Sequence, residues 1–188
     1  MAVKHLRTLE EFLDLPEVSE AQGWDELVRG EVVEAVPAGL EHNEIVTMML
    51  SLLVAFVRPQ RLGLVVNDGM GYVLSQNPDT MRIPDVSFVR RDRVPANRSS
   101  VKLFFIPPDL AVEVVSPGDR PREMDDKVQQ YLAAGVRLVW IVWPESRSVV
   151  VHTPDNDPQR LTEQDTLDGG SVLPGFSASV AELFDTNL

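Results

Sequence analysis

The segment Leu110-Ala111-Val112-Glu113-Val114-Val115 restricts the fold more than any other part of the chain. In an extended strand successive side chains alternate faces, so Leu110, Val112 and Val114 line one side and Ala111, Glu113 and Val115 the other. Both sides are apolar except at Glu113, the pattern of a central strand covered on both faces. A sheet with layers packed on it, and hence an α/β architecture, follows. An ionised carboxylate buried in such a strand costs several kcal/mol after relaxation, a large part of a domain's net stability. Glu113 therefore needs a metal, a cation or a proton.

Helix and turn signals supply the layers. Thr8, with Glu11 three residues on, predicts a capped, peripheral helix over about Leu9–Leu15. Leu27 to Val36 reads as a strand, a tight turn at Gly30 and a second strand, an N-terminal β-hairpin. From Asn43 to Val57 apolar residues recur at steps of three and four, predicting an amphipathic helix that stops before Pro59. His42 lies three residues before Ile45 on that buried stripe, whereas Glu44 is rotated about 200° from His42, so His42 is the inward group. Strands are expected at Leu64–Val66, Tyr72–Leu74, Pro84–Val89, Leu110–Val115, Leu138–Trp143 and Ser148–His152, with Pro154–Gln159 as loop. A second helix is expected from Arg120 to Ala134, stopped by Gly135, and a short one from Val180 to Phe184. Lys127 lies about 40° from Tyr131 on the edge of the second helix's apolar side, so its stem can carry the amine toward the sheet. Alone, such a lysine reads as a surface group paired with Glu123.

The 188 residues suit one domain, 1–188, with no repeat and no linker long enough to divide it. No apolar run approaches the roughly 20 residues of a membrane helix, and a cytoplasmic protein is expected. The absence of cysteine excludes thiolate metal sites and thiol catalysis, so any metal must bind oxygen or imidazole. A net charge of −12 opposes non-specific nucleic-acid binding. Locally, Arg90, Arg91, Arg93, Arg98 and Lys102 stand against Asp92 alone, a basic segment read either as a solvated loop or as a nucleic-acid contact following Asp85. Asp68-Gly69-Met70-Gly71 is a hairpin turn without the setting of a dinucleotide site, and Ser116 follows its strand without a nucleophile elbow.

Asp85 in Ile83-Pro84-Asp85-Val86, Glu113, and Lys127 in Asp125-Asp126-Lys127-Val128 remain as three reactive groups that one sheet and one helix can gather. Together with Glu26 to Glu31, His42, Val112 to Pro117, Lys127 to Tyr131, Val139 to Val142 and Leu173-Pro174-Gly175-Phe176, their order resembles the PD-(D/E)XK nuclease superfamily. More narrowly it resembles the small stand-alone family described as putative restriction endonucleases, in which the lysine has moved from the strand to the following helix. The superfamily's strand lysine would stand where this chain has Val115. The resemblance implies a restriction-endonuclease-like core, a mixed central sheet flanked by helices, and a homodimer acting on DNA.

The residue types fit metal-assisted phosphodiester hydrolysis. Asp85 and Glu113, with the Val114 carbonyl and Glu26 as further ligands, are expected to hold Mg²⁺ or Mn²⁺ through hard oxygen atoms. Lys127 is expected to assist the attacking water, and His42 to contact phosphate or serve as an accessory acid or base. Glu26 reads equally well as an exposed strand carboxylate. The alternative function is a catalytically silent domain of this fold that binds nucleic acid or protein, which the acidic surface favours.

Overall fold

The computed structural model describes residues 5–15, 25–97 and 103–185. Its centre is a six-stranded mixed sheet in the order β11-β10-β9-β8-β6-β3. These strands are β3 (Gly63–Asn67), β6 (Val86–Arg90), β8 (Leu110–Val114), β9 (Leu138–Trp143), β10 (Ser148–Thr153) and β11 (Asn156–Thr162). Only β8 and β9 run parallel, joined through helix α3 (Pro121–Ala133). A parallel pair needs such a crossover, which puts a helix over one face of the sheet.

Every residue of β8 is buried, as the apolar character of both its faces requires. Val112 and Val114 pack with Ile45, Met49, Leu53 and Val57 of α2 (Leu40–Gln60), while Ala111 packs with Met124, Val128 and Tyr131 of α3. The two helices thus cover opposite faces, and the Glu113 side faces α3. A hairpin, β12 (Thr166–Gly169) and β13 (Leu173–Ser179), and the short α4 (Val180–Leu183) complete the α2-side cluster. A second sheet, in the order β2-β1-β5-β4-β7, comprises β1 (Glu26–Val28), β2 (Glu31–Val33), β4 (Gly71–Ser75), β5 (Thr80–Arg82) and β7 (Leu103–Phe104). The β1–β2 turn places Arg29 at φ 52° and Gly30 at φ 80°, and a Cβ at Gly30 would stand 2.7 Å from the Leu6 Cβ. Glycine is required there on both counts.

Several expectations need correction. Helix α1 (Leu9–Leu13) has its capping box, with Glu11 N donating to Thr8 at 3.2 Å and Thr8 N to Glu11 at 2.8 Å, but it is not peripheral. Its Phe12 is fully buried against Leu27 and Met81. Pro59 lies inside α2, not beyond it, in the final turn, and the helix stops at Arg61 with φ 55°. The segment expected as a loop at Pro154–Gln159 mostly forms the edge strand β11, whose first five residues are exposed and whose pairing is with β10 alone. Burial leaves no hydrophobic alternation on such a strand. By length and a mean hydropathy of 1.4, α2 is apolar enough to cross a membrane, contrary to the expectation that no segment would be. Here its apolar stripe packs on the sheet.

Trp140 of β9 is fully buried in the α2-side cluster, tilted against Phe176 with ring centroids 5.7 Å apart. Its indole Nε1 has no hydrogen-bond partner among the described residues. Trp140→Ala should cost about 3–5 kcal/mol and lower Tm by roughly 10 °C in thermal unfolding. Trp140→Phe, which keeps the ring contact and deletes the unpaired donor, should cost under about 1.5 kcal/mol. Equal losses for the two variants would contradict this account of the core.

Candidate active site

Strand register brings the first two carboxylates together. Val86 of β6 pairs with Val112 of β8, and Asp85, one residue before β6, lies beside the end of β8, where its Oδ2 accepts from Val114 N at 2.7 Å. Glu113 points to the α3 side, and Asp85 is near enough for its negative charge to act on the Glu113 carboxyl.

On α3, Lys127 and Tyr131 are one helical turn apart and reach the same carboxylate. Lys127 Nζ stands 2.9 Å from Glu113 Oε2, and the Tyr131 hydroxyl donates to Glu113 Oε1 at 2.6 Å. The lysine amine therefore points toward the sheet and ends on the Glu113 carboxylate. Lys127 also lies 3.8 Å from Glu26 Oε2. Glu26 belongs to β1 of the second sheet, and is not an exposed strand carboxylate: its Oε2 accepts from Arg82 at 2.6 Å and its Oε1 from Ile83 N at 2.9 Å. Arg82 in turn donates through Nε to Gln130 Oε1 at 2.8 Å.

His42, in the first turn of α2, approaches Asp85 from the other direction. Its Nε2 is 3.2 Å from Asp85 Oδ1, and its Nδ1 is 3.1 Å from the Ser116 hydroxyl. The Val114 amide donates to Asp85 Oδ2 at 2.7 Å. In an antiparallel ladder the amide and carbonyl of one residue point to the same edge, so the Val114 carbonyl also faces the strand edge on which Asp85 lies.

Burial is the largest influence on Glu113 and, with the negative charges of Asp85 and Glu26, pushes its pKa up to about 7 against the opposing pull of Lys127 and the Tyr131 hydrogen bond. Burial alone would lower the pKa of Lys127, but Glu113 and Glu26 outweigh it and raise the value. Lys127 thus stays the cation of the pair, and Glu113 is the member that titrates near neutrality. For His42 burial also acts downward, and it is outweighed by the hydrogen bond and charge of Asp85 and by Asp119 and Glu113, so its pKa is raised.

Asp85, Glu113 and Glu26 face Lys127, Arg82 and, on the Asp85 side, His42, so the net charge of the centre turns on Glu113 and His42, and a divalent cation beside Asp85 and Glu113 would hold both carboxylates ionised. Among the described residues no three His, Asp or Glu side chains are grouped to ligate an ion by themselves. The four oxygens of Asp85 and Glu113 already meet His42, Val114 N, Lys127 and Tyr131, so an ion bound there would share or displace those partners, and Mg²⁺, which binds through one or two carboxylates and keeps several waters, asks least of them. Asp85, with a fifth of its side chain exposed, leaves room for them.

The basic segment lies elsewhere. β6 carries the chain from Asp85 to Arg90 over five residues, roughly 16 Å at strand rise, to the opposite end of the sheet. There Arg90 pairs with Asp92 at 2.9 Å, and Arg93 with the buried Asp109 at 2.8 Å. Arg91 is exposed in the following 3₁₀ turn, and Arg98 and Lys102 lie outside the described residues. A cavity of about 600 Å³ beside α4, lined by Arg147, Glu163, Ser179 and Phe184, includes none of the clustered residues.

Sequence reasoning missed Arg82, Ser116, Gln130 and the polar end of Tyr131. Arg82 carried a signal, a charged residue in the apolar stretch before Pro84-Asp85. Tyr131 was legible only as part of the apolar side of its helix, because periodicity records the ring and not where the hydroxyl ends.

A search among curated proteins finds no match. Among solved structures the fold is similar to that of a putative nuclease belonging to DUF820 from Anabaena variabilis ATCC 29413, with a TM-score of 0.81 and 24% sequence identity over 94% of this chain and 97% of that one. The model of the Uma2 family, described as putative restriction endonuclease, matches residues 9–181. The chain belongs to that family and has a PD-(D/E)XK-like nuclease fold.

Proposed function

We propose that the protein is a metal-dependent endonuclease that hydrolyses phosphodiester bonds in DNA. The observation that carries this reading is the delivery of Lys127 from α3 to within 2.9 Å of Glu113, whose carboxyl also feels the charge of Asp85. Asp85 and Glu113 would hold one Mg²⁺ or Mn²⁺, with Val114 O and water as further ligands; when bound, the ion supplies Lewis-acid polarisation of the phosphate and acidifies a bound water. Lys127 orients the attacking water and stabilises charge on the phosphoryl oxygens. Tyr131 fixes the Glu113 carboxylate. Glu26, already occupied by Arg82 and Ile83 N, anchors the Lys127 side of the centre and ranks behind Asp85 and Glu113 as a metal ligand. A homodimer would let two centres address two strands.

The distance of Arg90, Arg91 and Arg93 from Asp85, with Arg90 and Arg93 already paired, favours a modest electrostatic contribution to binding. Single-stranded, duplex and supercoiled DNA incubated at low salt with Mg²⁺ or Mn²⁺ should be cleaved, and chelation should stop it. A protein that binds these DNAs without cleaving any of them would instead be a silent member of the fold acting as an interaction module.

A further inference from the structure

His42 does not stand alone against Asp85. Ser116, the second residue after the end of β8, places its hydroxyl 3.1 Å from His42 Nδ1 while Nε2 faces Asp85 Oδ1 at 3.2 Å. Ser116 is itself fixed: its amide donates to Asp119 Oδ2 at 2.7 Å, and its carbonyl accepts from Asp119 N at 2.9 Å. Asp85 Oδ2 returns to the strand through Val114 N, so Ser116, His42, Asp85 and Val114 form a hydrogen-bonded ring joining the start of α2, the start of β6 and the end of β8.

We propose that Ser116 is a positioning residue that fixes the His42 ring and, through it, the Asp85 carboxylate. A carboxylate accepts only, so the Nε2 facing Asp85 carries a hydrogen. A hydroxyl both donates and accepts, so Ser116 can meet Nδ1 whether or not that atom is protonated. Neither a methyl nor an obligate donor at position 116 would satisfy both states. With both ring nitrogens engaged, His42 acts on the reaction by holding Asp85 and not by contacting the phosphate.

The consequence for metal binding rests on the proposed function, because it takes Asp85 as a ligand. Hydrogen-bonding partners of metal ligands alter affinity by about 10–100-fold. Mn²⁺ titrated calorimetrically into the full chain should bind about 10-fold more weakly to Ser116→Ala, and Ser116→Thr, which retains the hydroxyl, should restore affinity. In a His42→Ala background Ser116→Ala should cost nothing further, since the interaction it removes is already gone. A full cost in that background, or no cost in the native one, overturns the assignment. If the wild type binds no Mn²⁺, the metal reading fails, and Ser116 is judged on the metal-free protein by ¹⁵N-resolved NMR. There the His42 Nε2 proton should exchange slowly in the wild type and in Ser116→Thr and rapidly in Ser116→Ala; equal exchange in all three overturns it.

Discussion

Glu113→Gln should reduce DNA cleavage by about 10³-fold or more and leave the fold in place. The amide keeps an oxygen for the Tyr131 hydroxyl, which donates to Glu113 at 2.6 Å, and fills nearly the same volume in a fully packed strand, while Lys127, facing the amide NH₂ in place of a carboxylate oxygen, keeps Glu26 at 3.8 Å as its counter-charge at some cost in stability. What it removes is the negative charge through which a divalent cation would be held opposite Asp85. The same charge sets a pH dependence. Because burial raises the Glu113 pKa to about 7, the proton must leave before an ion can bind, so Mn²⁺ affinity should rise as pH increases through about 7. In the metal-free protein the sign is reversed. A carboxyl whose folded pKa exceeds its unfolded value of 4.5 stabilises the fold while protonated, and that stability is lost as pH rises toward and through about 7. The loss should amount to a few kcal/mol in urea unfolding, and Glu113→Gln, neutral throughout, should lack it. A variant that cleaves at the wild-type rate would remove Glu113 from the mechanism; one that is inactive and also unfolded would leave its charge untested, and circular dichroism separates the two.

The part of the centre that could be read from sequence is the part carried by regular elements with strong periodicity. β8 and α3 announce themselves through burial on two faces and on one face, and the positions of Glu113 and Lys127 follow from strand alternation and helical rotation. Asp85 near Glu113 needed only that β6 and β8 pair, which their order in the chain favours. Arg82 and Glu26 were harder, because they meet through the second sheet, where Leu27 of β1 pairs with Met81 of β5 across more than fifty residues. No local pattern encodes such a meeting. The basic segment shows the opposite error. It is close to Asp85 in sequence, yet a strand carries the chain away at about 3.3 Å per residue, so sequence proximity placed it near a site from which β6 removes it. The hairpin of β12 and β13 and the edge strand β11 escaped for the same reason as each other: a strand with one exposed face or one free edge has a mixed composition that resembles a loop.

Lys127→Met should lower the rate of cleavage by at least about 100-fold with a much smaller change in KM, since the ammonium acts on charge that develops during the reaction. Methionine matches the lysine stem and keeps its contacts on α3, so the substitution isolates the charge. Its effect on stability should depend on pH in a way that a surface lysine would not show. Without Lys127 the larger of the two influences opposing burial at Glu113 disappears, leaving only the Tyr131 hydrogen bond, and the carboxyl pKa rises further above about 7. At pH 6 Glu113 would be protonated and the variant should be nearly as stable as the wild type. As pH rises through the new, higher pKa the buried carboxylate must ionise without a cation beside it, and removing one member of a buried pair costs about 3–5 kcal/mol. Urea unfolding at pH 6 and pH 9 should therefore show a gap between variant and wild type that opens only at the alkaline end. A gap of the same size at both pH values would mean that Lys127 contributes packing alone. Wild-type cleavage with the alkaline gap present would make Lys127 the counter-ion that keeps Glu113 ready and not a participant in the chemistry.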